Sequence, residues 1–383
     1  MAGRTGFITR IGRAAGGRVV QRVGTPSPRR AFYNSFNGQF SDSPRAIYEE
    51  LVRRRPDMEH TWIADRDGFP AGATKVAPYS LGYLREAGRA GYVIANRQMP
   101  DNFRSREGAV YVQTWHGTPL KRIGFDNDRW KENPRGLDAM ARDFAKWDYL
   151  VSQNQFSTEI FRRAFRFDGE VLETGYPRND VLSSPEAPAT RARVRAELGI
   201  EDGVRAILYA PTWRDNLIDE GGALKFSLAL DLDRLEAELG AGNRVLLRLH
   251  HLVRPSANAE FGAFALNVSD HPDIRDLYLA ADVLITDYSS AMFDFAVSGK
   301  PIVFFCYDLD EYRDSVRGFY FDLEAEAPGA VCRTTDAVID ALRDLDSVHA
   351  ANAASYARFR ERFCPFDDGG SAARVVQRVM GDS

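Results

Sequence analysis

Two histidines carry the first chemical suggestion. His116 lies in the run Trp115-His116-Gly117-Thr118-Pro119-Leu120-Lys121, directly after Ala109 to Thr114, an apolar stretch that reads as a β-strand. Imidazole ionises nearer neutrality than any other side chain, so one on a glycine-containing turn suits removal of a proton from a hydroxyl nucleophile. That makes His116 the first candidate base, against the simpler assignment of an imidazole tying a turn to backbone. Its neighbours favour chemistry: Gly117, Thr118 and Lys121 offer backbone donors, a hydroxyl and positive charge to a phosphate or acceptor, although the run is neither a P-loop nor a dinucleotide fingerprint. His250 closes Arg248-Leu249-His250, where strand alternation sends Arg248 and His250 to one side. Both could neutralise a diphosphate, and a protonated His250 could assist a departing phosphate; packing between domains is the competing assignment. His250 and His251 are adjacent, so on a strand they point apart, and no H-E-x-x-H pattern accompanies them; metal ligation is not indicated.

A third group is Thr286-Asp287-Tyr288-Ser289-Ser290 followed by a helical pattern from Ala291. Ser289 and Ser290 at a helix start, with unpaired backbone N–H groups and the positive end of the dipole, suit a diphosphate; ordinary N-capping is the alternative. Thr212 and Arg214 follow another strand, Arg313 and Arg317 lie in a later loop, and Gly175-Tyr176-Pro177-Arg178-Asn179-Asp180 is a further polar turn. Arg214 and Arg317 are candidates for phosphate or nucleotide groups. Asp-x-Asp triplets begin at Asp65, Asp126, Asp231, Asp308 and Asp344, too many for any one to mark a metal site, so no cofactor is assigned and a divalent-metal requirement stays open.

The elements that must hold these groups alternate strand and helix. Strands are expected at His60 to Ala64, Gly91 to Asn96, Ala109 to Thr114, Tyr149 to Ser152 and Glu170 to Glu173, with helices at Ser43 to Arg54, Ser80 to Ala90, Gly136 to Ala145 and Ser157 to Arg163. The second half repeats the pattern: strands Ala206 to Ala210, Arg244 to Leu249, Asp282 to Thr286 and Pro301 to Phe305, and helices Leu232 to Leu239, Ile274 to Ala281 and Ala291 to Ser298. This is an α/β chain with two parallel sheets, divided near the Ser/Pro/Ala-rich stretch Ser183 to Pro188. We assign 1–31 to a basic segment, 32–185 to a first Rossmann-like domain and 186–383 to a second. Open parallel sheets bind ligands beyond the carboxyl ends of their strands, so polar residues immediately after each strand are where chemistry is sought.

The 383 residues, 44% hydrophobic with a net charge of −4, exclude a disordered chain, and three cysteines without C-x-x-C spacing give no disulfide framework or cysteine zinc site. A reducing, cytoplasmic setting follows. No apolar run reaches the roughly 18 residues of a membrane span. Met1 to Arg30 holds seven arginines and no acidic residue, with Ile8, Ile11, Ala15, Val19 and Val23 at helical spacing. That composition suits contact with an anionic membrane surface at the inner face, or a plain disordered extension or transit peptide. Elsewhere no basic run exceeds the three arginines Arg53 to Arg55, which disfavours nucleic acid.

The blocks together resemble the CDP-glycerol glycerophosphotransferase family, the primases and polymerases of teichoic acid synthesis. The resemblance runs from Ser35-Phe36-Asn37-Gly38-Gln39-Phe40-Ser41-Asp42-Ser43-Pro44 to Phe366-Asp367-Asp368-Gly369, with the His116, Tyr209 to Asp215, Arg248-Leu249-His250 and Thr286 to Ser290 blocks in the family's order. It implies a GT-B arrangement, an N-terminal acceptor domain and a C-terminal donor-nucleotide domain. His116 then matches the family's catalytic histidine and His250 its second functional one, while Ser289, Ser290 and Arg317 match positions that hold donor phosphates. His251 departs from the proline often found there. The implied reaction is attack of an acceptor hydroxyl on the β-phosphorus of CDP-glycerol or a related CDP-alcohol, releasing CMP, with a lipid-linked saccharide as acceptor. Arg248, Thr212, Arg214 and Asp287 join the expected donor site. The chain is little longer than two catalytic domains, which leans towards a single-transfer primase. The alternatives are a GT-B nucleotide-sugar glycosyltransferase, a sugar-phosphate transferase, and an inactive scaffold on the same fold.

Overall fold

The computed structural model describes residues 24–381 except 101, 131–132, 213–227, 250–261, 263 and 314–317. The first half contributes strands β1 (Ser27–Asn34), β2 (Glu59–Ile63), β3 (Ala73–Val76), β4 (Ala90–Ala95), β5 (Val110–Gln113), β6 (Tyr149–Ser152) and β7 (Glu170–Glu173). Its main helices are α1 (Asp42–Arg54), α2 (Leu81–Arg89), α3 (Pro134–Phe144) and α4 (Gln155–Ala164). All seven strands pair in parallel, in the order β3-β2-β1-β4-β5-β6-β7.

The second half begins with α5 (Ala187–Glu197) and builds a parallel sheet from β8 (Arg205–Ala210), β9 (Asn243–Leu247), β10 (Ala265–Asn267), β11 (Val283–Thr286), β12 (Ile302–Phe305) and β13 (Ala330–Cys332), ordered β10-β9-β8-β11-β12-β13. Around it lie α6 (Leu232–Leu239), α7 (Ile274–Ala280), α8 (Ala291–Val297), α9 (Thr335–Arg343), α10 (Leu345–Ala351), α11 (Ala353–Phe363) and α12 (Ser371–Met380). Among the described residues no helix is long and apolar enough to cross a membrane.

Strands inside each sheet, such as Ala90–Ala95, Val283–Thr286 and Ile302–Phe305, are mostly apolar because both faces of the sheet are covered. Phe32, Val93, Tyr111 and Leu150 turn into one cluster while their neighbours Tyr33, Ile94, Val112 and Val151 turn into the opposite one. The second sheet sends Leu208, Leu246, Leu284 and Phe304 one way, and Tyr209, Leu247, Ile285 and Phe305 the other. The chain then crosses back: Val375 and Val376 of α12 pack with Ala31, Tyr33 and Trp62 of the first sheet.

In both sheets the order reverses beside the first strand, between β1 and β4 and between β8 and β11. Helices leave opposite faces at such a point, which opens a crevice at the carboxyl ends of the strands. The segments after β1, β4, β5, β8 and β11 all begin there.

Candidate active site

The chain leaves β5 through Trp115, whose φ of 52° is in the left-handed region, and Gly117, with φ 148°. A bulky residue held left-handed is strained, and such strain persists only where surroundings impose it. Here the Trp115 N–H donates to Gln113 Oε1 at 3.0 Å, and the indole lies on Phe165 with ring centroids 4.6 Å apart. The imidazole of His116 stacks on that indole at 4.1 Å and meets the edge of Phe36 at 5.1 Å.

His116 Nδ1 lies 2.8 Å from the carbonyl oxygen of Asn96, the residue after β4. A carbonyl only accepts, so Nδ1 carries the proton and Nε2 is left with its lone pair. Burial pushes the imidazole below its ordinary value; Arg178 acts in the same direction, while the Asn96 carbonyl and Asp42 oppose it. Neutral imidazole is thus the resting form at neutral pH, as a base requires.

Gly117 is where the two halves meet. A Cβ built on it would stand 2.7 Å from both Cβ and Oγ of Ser290 and 3.6 Å from an Arg178 nitrogen. The loop of His116 and the start of α8, 173 positions apart in sequence, are therefore in van der Waals contact. Ser290 is half-buried and its side chain makes no cap bond to its own helix, whereas Ser289 Oγ accepts from the Ala291 N–H at 3.3 Å.

Other expected residues have structural tasks. Thr118 is fully buried; its hydroxyl donates to Gln153 Oε1 at 2.7 Å and accepts from Asn154 Nδ2 at 3.0 Å, so it supports the loop. Lys121 bridges in antiparallel fashion to Phe319, its ammonium 3.4 Å from the Tyr312 hydroxyl. Asp287 Oδ1 accepts from the N–H groups of Thr212 (2.9 Å) and Tyr288 (2.6 Å), locking the loop after β8 to the loop after β11. Arg248 differs most from its expected place on a diphosphate. Its Nη1 donates to the carbonyls of Val268, Ser269 and His271 at 2.5–2.8 Å, holding the turn after β10. His250, Arg214 and Arg317 lie outside the described residues, as does most of the basic segment; Ser27 to Ala31 of that segment begin β1.

Sequence reading did not single out the polar network that joins the halves beneath this point. Arg178 donates from Nη1 to Asp42 Oδ2 at 3.1 Å, and from Nε and Nη2 to Asp294 Oδ1 of α8 at 3.2 and 3.0 Å. Asn179 bridges Asp294 to Asp367, and Asp367 also accepts from Gln153 Nε2 (2.8 Å) and the Tyr176 N–H (3.1 Å). The one available signal was position: Arg178 lies in the polar turn Gly175 to Asp180, and Asp42 and Asp367 lie in the blocks that bound the family resemblance.

Comparison with known proteins agrees across nearly the whole chain. The family model for CDP-glycerol:poly(glycerophosphate) glycerophosphotransferase matches residues 19–381. The teichoic acid poly(glycerol phosphate) polymerase of Bacillus subtilis (strain 168) is 40% identical over 362 residues, which are 92% of this chain and 48% of that protein, so the chain spans about half its length. The teichoic acid glycerol-phosphate transferase of Staphylococcus aureus (strain NCTC 8325 / PS 47) is 37% identical over 370 residues, 93% of this chain and 94% of that one. The structure of the wall teichoic acid polymerase TagF superposes with a TM-score of 0.88 at 34% identity, covering 98% of this chain and 95% of that one. A UDP-GlcNAc 2-epimerase from Neisseria meningitidis, at 12% identity and a TM-score of 0.54, shares the fold alone.

Proposed function

The chain belongs to the CDP-glycerol:poly(glycerophosphate) glycerophosphotransferase family, with two Rossmann-like units in a GT-B-like arrangement, and we propose that it transfers glycerol phosphate from CDP-glycerol to a hydroxyl of a teichoic-acid-type acceptor. We assign residues 32–185, with the returning α12, to the acceptor side and the rest of 186–383 to the donor-nucleotide side. The acceptor oxygen forms a bond to the β-phosphorus, the bond from that phosphorus to the bridging oxygen breaks, and CMP leaves with the electron pair. The hydroxyl proton passes to Nε2 of His116, and the Ser289-Ser290 turn takes the donor phosphates. We place His250, Arg214 and Arg317 around the same phosphates, and Arg248, Thr212 and Asp287 as the residues that shape the loops beside them. Holding acceptor, donor and base together is the main catalytic contribution in a phosphoryl transfer.

The observation carrying this reading is the contact of Gly117 with Ser290. It brings Gly117, the residue next to a neutral imidazole whose Nδ1 is fixed on a carbonyl, against the helix start that suits a diphosphate. The basic segment before β1 supplies contact with an anionic membrane surface, where a lipid-linked acceptor would be met.

The test is CMP release from CDP-glycerol and CDP-ribitol beside UDP release from a UDP-sugar panel, with a lipid-linked disaccharide analogue as acceptor. Acceptor-dependent CMP release from CDP-glycerol, reduced about 100-fold or more in His116→Ala, is expected. Silence with both CDP-alcohols alongside turnover of a UDP-sugar would move the chain to glycosyl transfer. Unchanged turnover in a folded His116→Ala would remove the histidine from the base role.

A further inference from the structure

Resting on the reading of His116 as the base, we propose that Asp42 and Arg178 are positioning residues for it: an ion-paired bracket of opposite charges from separate segments, set against the His116-Gly117 loop, that governs how readily the imidazole takes a proton. Arg178 is almost fully buried, and its guanidinium is shared between Asp42 on one side and Asp294 on the other. One of its terminal nitrogens lies 3.6 Å from the Cβ position of Gly117, the residue next to His116.

Asp42 adopts φ 61°, a left-handed conformation that L residues other than asparagine, aspartate and glycine seldom take. It does so at the first residue of α1, where its Oδ1 accepts from the Ser43 N–H at 2.5 Å and its Oδ2 reaches Arg178. Asparagine or glycine would satisfy that backbone equally well. A carboxylate adds charge, and Asp294 already neutralises Arg178. The Asp42 carboxylate is of the sign that favours the imidazolium formed as the acceptor loses its proton.

Among the described residues, the charged groups acting on the ring are these two. Asp42 favours the protonated imidazole and Arg178 disfavours it. Asp294 from α8 faces Arg178 and Asn179, and Asp367 faces Asn179 and Gln153. The remaining neighbours, Trp115, Phe36 and the Asn96 carbonyl, are uncharged. The bracket is thus anchored in both halves: Asp42 and Arg178 come from the first, and Asp294 ties Arg178 to the second.

Asp42→Asn is the informative variant, because asparagine tolerates the left-handed backbone and still accepts from Arg178 while the charge is lost. The readouts are the NMR titration of His116 in histidine-labelled, ligand-free protein, its signal among the six histidines identified with His116→Gln, and the kcat and KM of CMP release. The expected result is a His116 midpoint moved to lower pH and kcat reduced about tenfold with KM for CDP-glycerol little changed. Arg178→Gln should move the midpoint the other way. Asp294→Asn loosens the same arginine without removing a charge that faces the ring, so its midpoint should stay near the parent's. A purely structural role would give loss of activity with no ordered shift. An unmoved midpoint in Asp42→Asn, or a shift in Asp294→Asn as large, would overturn the proposal; if Arg178→Gln does not fold, these two variants still decide. Persistent acceptor-dependent CMP release in His116→Gln would instead overturn the base reading and leave the bracket standing.

Discussion

At the scale of single residues the site depends on one absent side chain. Gly117 has φ 148°, and a Cβ there would overlap Ser290 at 2.7 Å. Gly117→Ala must therefore move the His116 loop away from α8 or displace Ser290, and neither relieves the backbone conformation. Turnover should fall about 100-fold, since displacements of an ångström in a positioned site cost that much. Thermal stability should drop only modestly, because the neighbouring Thr118 stays bonded to Gln153 and Asn154. Steady-state kinetics beside a melting curve separate the two effects; a kcat near the parent's would mean that the contact of loop and helix does not organise catalysis. His116, Gly117 and Ser290 were legible in the sequence because each stands at the end of a strand, where turn chemistry shows in residue type alone. Asp42, Arg178 and Asp294 were not. Their pairing joins residues 136 and 116 positions apart, and no local pattern records which carboxylate will meet which arginine.

At the scale of elements, the strands read from the sequence were interior ones, together with the edge strand Glu170–Glu173. Tyr149–Ser152 and Glu170–Glu173 appear with the expected limits, and Gly91 to Asn96 and Arg244 to Leu249 are shifted by two residues at most. β3, β10 and β13 escaped because they are short and lie at or beside sheet edges, where exposure removes the apolar run that identifies a strand. β1 escaped for another reason: its first half, Ser27-Pro28-Arg29-Arg30, continues the arginine-rich composition of the preceding segment, yet the strand is central in its sheet. The return of α12 to the first sheet was also invisible, since an amphipathic helix does not say which face it covers. Its docking is fixed from outside. Asp180, in the turn that follows β7, accepts from the N–H groups of Ser371 and Ala372 at 2.9 and 2.7 Å and so caps α12 across 191 positions of sequence. Asp180→Ala should lower stability by about 1 kcal/mol, the ordinary cost of a lost cap. It should also raise amide exchange in α12 selectively. Uniform exchange along the chain would show that the cap is not what holds the helix.

At the scale of the whole molecule, two buried groups pull stability in opposite directions over the same pH range. His60 on β2 is buried against Tyr48, with Nδ1 2.8 Å from the Tyr33 hydroxyl, and burial pushes it down to about 4 from 6.5. The unfolded chain binds that proton before the folded one does, so His60 makes the protein gain stability as pH rises from about 4 to 6.5. Asp367, at the junction of the halves, is pushed up to about 7 from 3.8, chiefly by burial, against the hydrogen bonds from Gln153, Asn179 and Tyr176. The folded protein holds that proton longer than the unfolded chain, so Asp367 makes it lose stability as pH rises from 3.8 to about 7. The two slopes largely oppose each other between about 4 and 6.5. Asp367→Asn removes the second and should make stability climb more steeply with pH in that interval, while His60→Gln removes the first and should tilt the curve downward. Because both groups are buried, the tilts should persist at high salt, where exposed pairs are screened. Unfolding free energies from denaturant titrations at several pH values measure both. Parallel curves for parent and variants would show that neither residue titrates across the interval, and that the junction around Asp367 is held by its hydrogen bonds in a single protonation state.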